Sequence, residues 1–303
     1  MLQTPFEISG DLTSVEDGDT FLHDLATETS AVVDHIGDGT LDDPLYTITI
    51  GTGQPRVAVL ASIHGNEPAC REAAYGFIRD MAYGATPTTA SLVADHAWTF
   101  LPTPNPSGIR HGWRQPSNDP SSGDLNRDFG EQRLPESQAM ASWLSDVMPA
   151  LVVDLHEHLG TTIPDQIATG RQTHTGTHPA IRPLSDELNT AVADRVQADG
   201  YTWSLYPDST ITGTARTEVG RLYKSACVLG ETDRTIDLAT RVGANLSLLD
   251  ESAVFWMARH TDFETAHHNA LYPPTAGLYR ADGTPVALSA GTLYYADGTP
   301  VTG

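Results

Sequence analysis

The sequence predicts an α/β fold: a mixed, largely parallel central sheet with helices on both faces. Three observations predict it. Residues 56–61, 150–155 and 227–229 are short apolar runs without polar alternation, the pattern of strands covered on both sides. Stretches of helical periodicity separate these runs, as crossovers between parallel strands require. Each run leads into a polar cluster, and open α/β sheets place their sites beyond the carboxyl ends of strands. A chain of 303 residues has material for one large α/β domain, or at most two.

In chain order, residues 1–44 are acidic and weakly patterned, with one helix expected over 20–36. Residues 45–50 alternate as a strand, and a Gly-Thr-Gly-Gln-Pro turn leads into the strand at 56–61. Gly65 permits a sharp turn, and Pro68 suits the first turn of a helix over 67–82. That helix carries Cys70, Ala73, Ala74, Phe77, Ile78 and Met81 on one face. A strand follows at 97–101. Residues 102–134, rich in Pro, Gly, Ser and Asn, have no apolar period, and a loop of this length inside a compact domain is expected to be functional. Pro135 starts a helix to about 148, before the strand at 150–155. Downstream we expect a strand at 163–169, a helix at 181–198, a strand at 201–205, a helical stretch at 215–225, a strand at 227–232 and a helix at 237–260. Residues 278–286 recur as 293–301, each copy with an Asp-Gly turn signal, so residues 272–303 are expected to form short β-hairpin arms packed on the domain edge.

Composition bounds the partners. The net charge is −22 and Lys224 is the only lysine. Phosphates would be repelled, which argues against nucleic acid and anionic membrane surfaces. The excess of Asp and Glu over Lys resembles the proteins of salt-loving archaea, in which high salt screens self-repulsion. No apolar run approaches the roughly 18 residues of a spanning helix. The first residues have neither a basic nor an apolar leader region, so a cytoplasmic chain is expected. Cys70 and Cys227 are read as reduced and buried, and the lack of a Cys-x-x-Cys pair excludes a zinc finger of that kind.

The chemistry is concentrated at the strand ends. His64 and Glu67 lie three apart, so a helical turn brings both to one side, where they can hold one ion. The second run ends in His156-Glu157-His158. In a continuing strand the two histidines point one way and Glu157 the other, so one of them is a third ligand; the period does not choose between them. Arg110, Arg114 and Arg127 in the long loop offer planar, permanently charged donors for a carboxylate or a developing oxyanion. Glu231, at the end of the third run, is either a proton acceptor or the partner of Arg234.

His64-x-x-Glu67, Asn105-Pro-x-Gly108, Trp113-Arg114, Asp124-x-Asn126-Arg127, Asp154-x-His156 and Gly230-Glu231 follow one another over about residues 45–260. In order and spacing they resemble the zinc carboxypeptidase superfamily, which includes the succinylglutamate desuccinylase and aspartoacylase branch. The resemblance implies a carboxypeptidase-like α/β domain over 1–271. It implies His64, Glu67 and His156 as ligands of one Zn2+ per chain, with Asp124 orienting the first histidine. Glu231 would be the general base and later the acid, and Arg114 would stabilise the oxyanion. Asn126 and Arg127 would bind the substrate's terminal carboxylate, and Arg221 resembles in position a substrate-binding arginine of the aspartoacylases. The implied function is zinc-dependent hydrolysis of an amide next to a free carboxylate, in a small peptide if a metallocarboxypeptidase, with a Glu-activated water as nucleophile. An N-acyl amino acid deacylase is the alternative, and a non-catalytic peptide-binding relative is the third reading. His-Gly-Asn-Glu and Asp-Leu-Asn-Arg are closer to the deacylases, whereas Asn-Pro-x-Gly is closer to the carboxypeptidases. The 72 residues after Glu231 leave little for a roofing β domain, which favours a carboxypeptidase with an open cleft. The mobile tyrosine of the carboxypeptidases has no secure counterpart; Tyr206 lies nearest in order.

Overall fold

The structure, a computed structural model, describes residues 1–119, 121, 123–159, 167–170, 178–205 and 211–272. The repeat at 278–301 and Tyr206 lie outside the described residues.

Among the described residues eight strands form one mixed sheet: β1 (Val32–Asp38), β2 (Pro44–Gly51), β3 (Pro55–Ala61), β4 (Ala97–Leu101), β5 (Leu151–His158), β6 (Ile167–Gly170), β7 (Trp203–Leu205) and β8 (Ala226–Asp233). Their order is β1-β2-β4-β3-β5-β8-β6-β7. The centre, β4-β3-β5-β8, is parallel throughout. Antiparallel pairs occur where β1 joins β2, where β2 joins β4 and where β6 joins β8. From β3 the chain moves to β4 on one side, then crosses back to β5 on the other. The carboxyl ends of β3 and β5 therefore flank a topological switch point, where such sheets open a crevice.

The period of two explains both faces of the central strands. Val57, Val59, Ala61, Leu151, Val153, Leu155 and Val228 face one core, shared with α2 (Val15–Glu28), α3 (Pro68–Tyr83), α7 (Arg182–Ala198) and α9 (Leu238–Leu271). Ala58, Leu60, Val152 and Cys227 face a second, smaller core under α6 (Pro135–Val147) and the segment from α8 (Ala215–Glu218) into a π turn at Val219–Tyr223. Cys70 and Cys227 are buried free thiols in opposite cores, as expected. No helix among the described residues is long and apolar enough to cross a membrane.

Three expectations need correction. The helix expected over 20–36 is α2, capped by Ser14 and closed at an extended Thr29; the β-branched Val32 and Val33 then open β1. That strand sits at the sheet edge with most of its side chains exposed, which is why its apolar signal is weak. A helix not foreseen, α4 (Pro87–Asp95), starts at a Thr86 cap followed by Pro87. The expected loop 102–134 contains α5 (Pro106–His111), capped by Asn105, and a 3-10 turn at Leu125–Arg127. The last helix also runs beyond 260, to Leu271, burying Ala244, Leu248, Ala253, Trp256, Phe263 and His267 along one stripe.

Candidate active site

β3 ends at Ala61, and the chain then turns sharply. Ser62 adopts a left-handed φ of 53°, held by its Oγ donating to the Glu67 carbonyl at 2.9 Å. The Glu67 N–H donates to the His64 carbonyl at 3.1 Å. Gly65 presses against α5, where a Cβ would come within 2.1 Å of the Gly108 backbone, so no larger residue fits this turn. Glu67 becomes the N-cap of α3 without using its side chain as a cap, which leaves the carboxylate free to face the histidines.

His64, Glu67 and His156 form a buried cluster whose ligand atoms all lie within 4.8 Å of one another. His64 Nδ1 is 2.7 Å from Glu67 Oε1, and His156 Nδ1 is 3.0 Å from Glu67 Oε2. Burial opposes the charge on Glu67, yet the two imidazoles overcome it and hold the carboxyl well below the usual range. Burial likewise opposes charge on His156, but Asp154 and Glu67 raise its pKa well above the ordinary value. His158 lines the same cavity but does not join this cluster. The choice that strand period left open therefore falls on His156.

These residues fit a zinc ion. Two imidazoles and one carboxylate are a zinc donor set that leaves a further position open. Both Nδ1 atoms face Glu67 and would be the ligating atoms, which would leave the remaining proton on Nε2, and each Nε2 has an acceptor in reach. Asp124 Oδ1 lies 3.0 Å from His64 Nε2, and Asp154 Oδ1 lies 3.1 Å from His156 Nε2. Both Asp154 oxygens are buried without an aligned hydrogen bond, although the imidazole is at ion-pair distance; an Nε2 proton on His156 supplies the missing donor.

The long loop wraps this centre. Asn105, fully buried, donates from Nδ2 to the carbonyls of Ile63 and Arg114, both at 3.0 Å, and accepts from the Gly108 N–H at 2.9 Å. It ties the turn that carries His64 to the segment that carries Arg114. Arg114 donates to Asp124 Oδ2 from Nε (3.1 Å) and Nη2 (2.9 Å), and its Nη1 is 3.4 Å from Glu67. Despite burial, His64 and Arg114 hold the Asp124 carboxyl well below its usual range. Asn126 spans two elements, its Oδ1 accepting from the Ala215 N–H at 2.8 Å and its Nδ2 lying 3.2 Å from His156 Nε2. The exposed Arg127 donates to the Asn126 carbonyl at 2.6 Å. Arg110 serves elsewhere, paired with Glu16 and Asp43.

Glu231 stands beside His156 in register, on the same face of the sheet. Among the described residues its carboxylate takes no hydrogen bond or ion pair, because Arg234 donates instead to the Asn66 carbonyl at 2.9 Å. Burial raises its pKa, against the pull of His156. Glu157 points to the opposite face, as the strand period requires. Its carboxylate accepts from the Ala69 N–H (3.0 Å), Thr232 Oγ1 (3.3 Å) and Arg241, locking α3, β8 and α9 beneath the cluster.

The metal cluster, Arg114, Asn126, Arg127 and Glu231 line one cavity of about 380 Å3. Arg221 does not. It is exposed on the π turn and donates to Glu218 at 2.6 Å. The cavity-lining arginine of this segment is Arg216, which the sequence reading passed over. The signal available was its position in the short helix leading to Glu231.

Residues 19–146 match the family model described as zinc carboxypeptidase. Carboxypeptidase D of Anas platyrhynchos is 29% identical over 119 residues, which is 34% of this chain and 9% of that protein, so the chain spans about a tenth of that relative. Among solved structures, a metallo-carboxypeptidase from Burkholderia cenocepacia superposes with a TM-score of 0.68 at 16% identity, over 81% of this chain and 70% of that one. Carboxypeptidase A from Helicoverpa armigera gives 0.66 at 17% identity, over 86% and 74%. The segment matched by the zinc carboxypeptidase model carries His64 and Glu67, and the fold shared with these solved structures brings His156 to them.

Proposed function

We propose that the chain is a metallocarboxypeptidase that hydrolyses the amide bond before the C-terminal residue of a peptide, with one zinc ion per chain. One observation carries this reading. The buried His64, Glu67 and His156 share a cavity with a carboxylate, Glu231, that takes no hydrogen bond or ion pair among the described residues. Two imidazoles beside a buried carboxylate serve structure poorly without a cation, and an unpaired strand-end glutamate serves structure poorly without a proton to receive.

His64, Glu67 and His156 would hold the zinc, which when bound supplies Lewis-acid polarisation of a carbonyl and lowers the pKa of water. Glu231 accepts the proton of the attacking water and returns it to the leaving amine. Its raised pKa suits it to both tasks, since a weaker acid is the better base and still donates to an amine. Arg114, braced by Asp124, points a guanidinium edge towards the metal ligands and steadies negative charge growing on the carbonyl oxygen. Arg127 keeps donors beyond its one bond to a backbone carbonyl, and with His156 Nε2 protonated towards Asp154 the Asn126 amide N–H groups are not spent on that ring, so the pair holds the substrate's terminal carboxylate.

The test is hydrolysis of blocked dipeptides alongside N-acetyl, N-succinyl and aspartyl-type acyl amino acids, in high KCl with added zinc, wild type against Glu231→Gln. Release of C-terminal amino acids by the wild type and its loss in the variant are expected. Turnover confined to acyl amino acids would replace the reading with a deacylase. Peptide binding by zinc-loaded protein without turnover would replace it with a binding module.

A further inference from the structure

We infer that Arg216 forms a subsite for an anionic side chain, so that the preferred substrates of this chain end in glutamate or aspartate. The inference rests on the carboxypeptidase reading and adds to it the class of residue released.

The starting point is how arginines are paired in a chain of net charge −22. Away from the cavity they find carboxylates: Arg110 with Asp43, Arg195 with Asp199, Arg221 with Glu218, Arg241 with Glu157 and Arg259 with Glu187. Three arginines that line the cavity do not. Arg127 and Arg234 each donate to a backbone carbonyl, and Arg216 makes no hydrogen bond or ion pair among the described residues. In a protein with acid to spare, a partly buried guanidinium without a carboxylate is a binding group whose partner comes with the ligand.

Arg127 and Arg216 are two sites rather than one. Arg127 is exposed at the rim, whereas Arg216 rises from the first turn of α8 over the face of the sheet that bears Glu231. Their relation is fixed. The Ala215 N–H is bonded to Asn126 Oδ1 at 2.8 Å, and the loop before it lies so close that a Cβ on Gly213 would come within 2.4 Å of the Arg127 carbonyl. The rim cation takes the chain terminus, and the inner one takes a second carboxylate one side chain away. Burial disfavours charge on Arg216 and pulls its pKa below the usual value; Glu231, Cys227 and Asp154 act against that pull and Arg127 adds to it. A ligand carboxylate relieves this state, whereas an apolar side chain would leave it as it is.

The experiment compares zinc-loaded wild type, Arg216→Met and Arg216→Lys on blocked dipeptides ending in Glu, Leu and Arg. Calorimetry of free L-glutamate and L-leucine accompanies it. The wild type is expected to favour the Glu-terminated peptide. Arg216→Met is expected to lower kcat/KM on that peptide by about 10- to 100-fold, the worth of one charged hydrogen-bonded contact, and to lower it far less on the Leu-terminated one. Arg216→Lys should recover part of the ratio. Equal or better turnover of the Leu- or Arg-terminated peptide by the wild type overturns the inference. So does a loss equal across all three peptides with a displaced pH profile, which a mere counter-charge for Glu231 and Asp154 would give. If the zinc-loaded wild type cleaves no peptide, the carboxypeptidase reading falls. Calorimetry then decides the subsite alone: glutamate binding that needs Arg216 upholds it, and binding indifferent to Arg216 overturns it.

Discussion

Single residues in this site divide by what their side chains leave unsatisfied. Glu231 has a carboxylate with no hydrogen bond or ion pair among the described residues, so it is poised for something the fold does not supply, whereas the buried oxygens of Asp154 wait on the Nε2 proton of His156. Asp124 is the reverse case, already bound to His64, Arg114 and the Asn126 N–H. Different consequences follow for substitution. Glu231→Gln should lower kcat by about 10²- to 10⁴-fold, the usual worth of a general base, while zinc content by atomic absorption stays at the wild-type ratio; a variant that loses zinc as well would make Glu231 a ligand. Asp124→Ala should instead weaken zinc by about 10- to 100-fold in chelator competition, because the imidazole loses its orienting acceptor. Unaltered affinity would mean that Asp124 braces Arg114 alone.

At the scale of elements, the site depends on ties that join strands to helices from below. Glu157 bonds α3 through Ala69, β8 through Thr232 and α9 through Arg241. Glu157→Ala would strand Arg241 in the interior, so a loss on the order of 3–5 kcal/mol is expected in urea unfolding; a loss near 1 kcal/mol would show that water reaches the arginine. The far end of α9 is held by His267, whose Nδ1 accepts from Arg56 at 3.0 Å while Nε2 donates to the Tyr223 carbonyl at 2.9 Å. The bond from Arg56 requires the neutral ring, since a protonated Nδ1 cannot accept, and burial lowers the pKa to about 4 although the Tyr223 carbonyl pulls the other way. The folded pKa lies below the ordinary 6.5, so this contribution is complete above about pH 6.5 and is lost as pH falls towards 4. Urea midpoints measured from pH 7 to pH 4.5 should fall more steeply for the wild type than for His267→Gln. Parallel curves would show that α9 does not sense this ring.

For the whole molecule the governing quantity is the charge of −22. Carboxylates crowd the surface, and their repulsion is strongest where the compact state brings them together. Raising KCl from about 0.1 M to about 2 M shortens the screening length several-fold, so the thermal midpoint should rise by several degrees. A midpoint that stays level or falls with salt would show that this charge is already balanced by local pairing.

Much of this was legible in one dimension, because the determining physics is local. The strands at β3, β5 and β8 could be read because burial on both faces demands unbroken apolar runs. Pro68 and Pro135 announced the starts of α3 and α6, whereas α4 and α5, which also begin at proline, are too short to carry a clear apolar period. The turn chemistry around Gly65 and the parity of His156, Glu157 and His158 follow from backbone geometry alone. What sequence could not decide were matters of distance between segments. Strand period left His156 and His158 equivalent, and only the register of β5 beside β3 brought His156 to Glu67. An edge strand such as β1 buries too little to imprint a pattern. Arg216 and Arg221 share one short stretch and one charge, yet a π turn sends Arg221 to Glu218 and α8 carries Arg216 over the cavity. The sequence by itself determined the sheet, its polar strand ends and the residue types of a metal site. Which arginine lines the cavity was decided by tertiary structure, since a charge is placed by the partners that surround it in space and not by its neighbours in the chain.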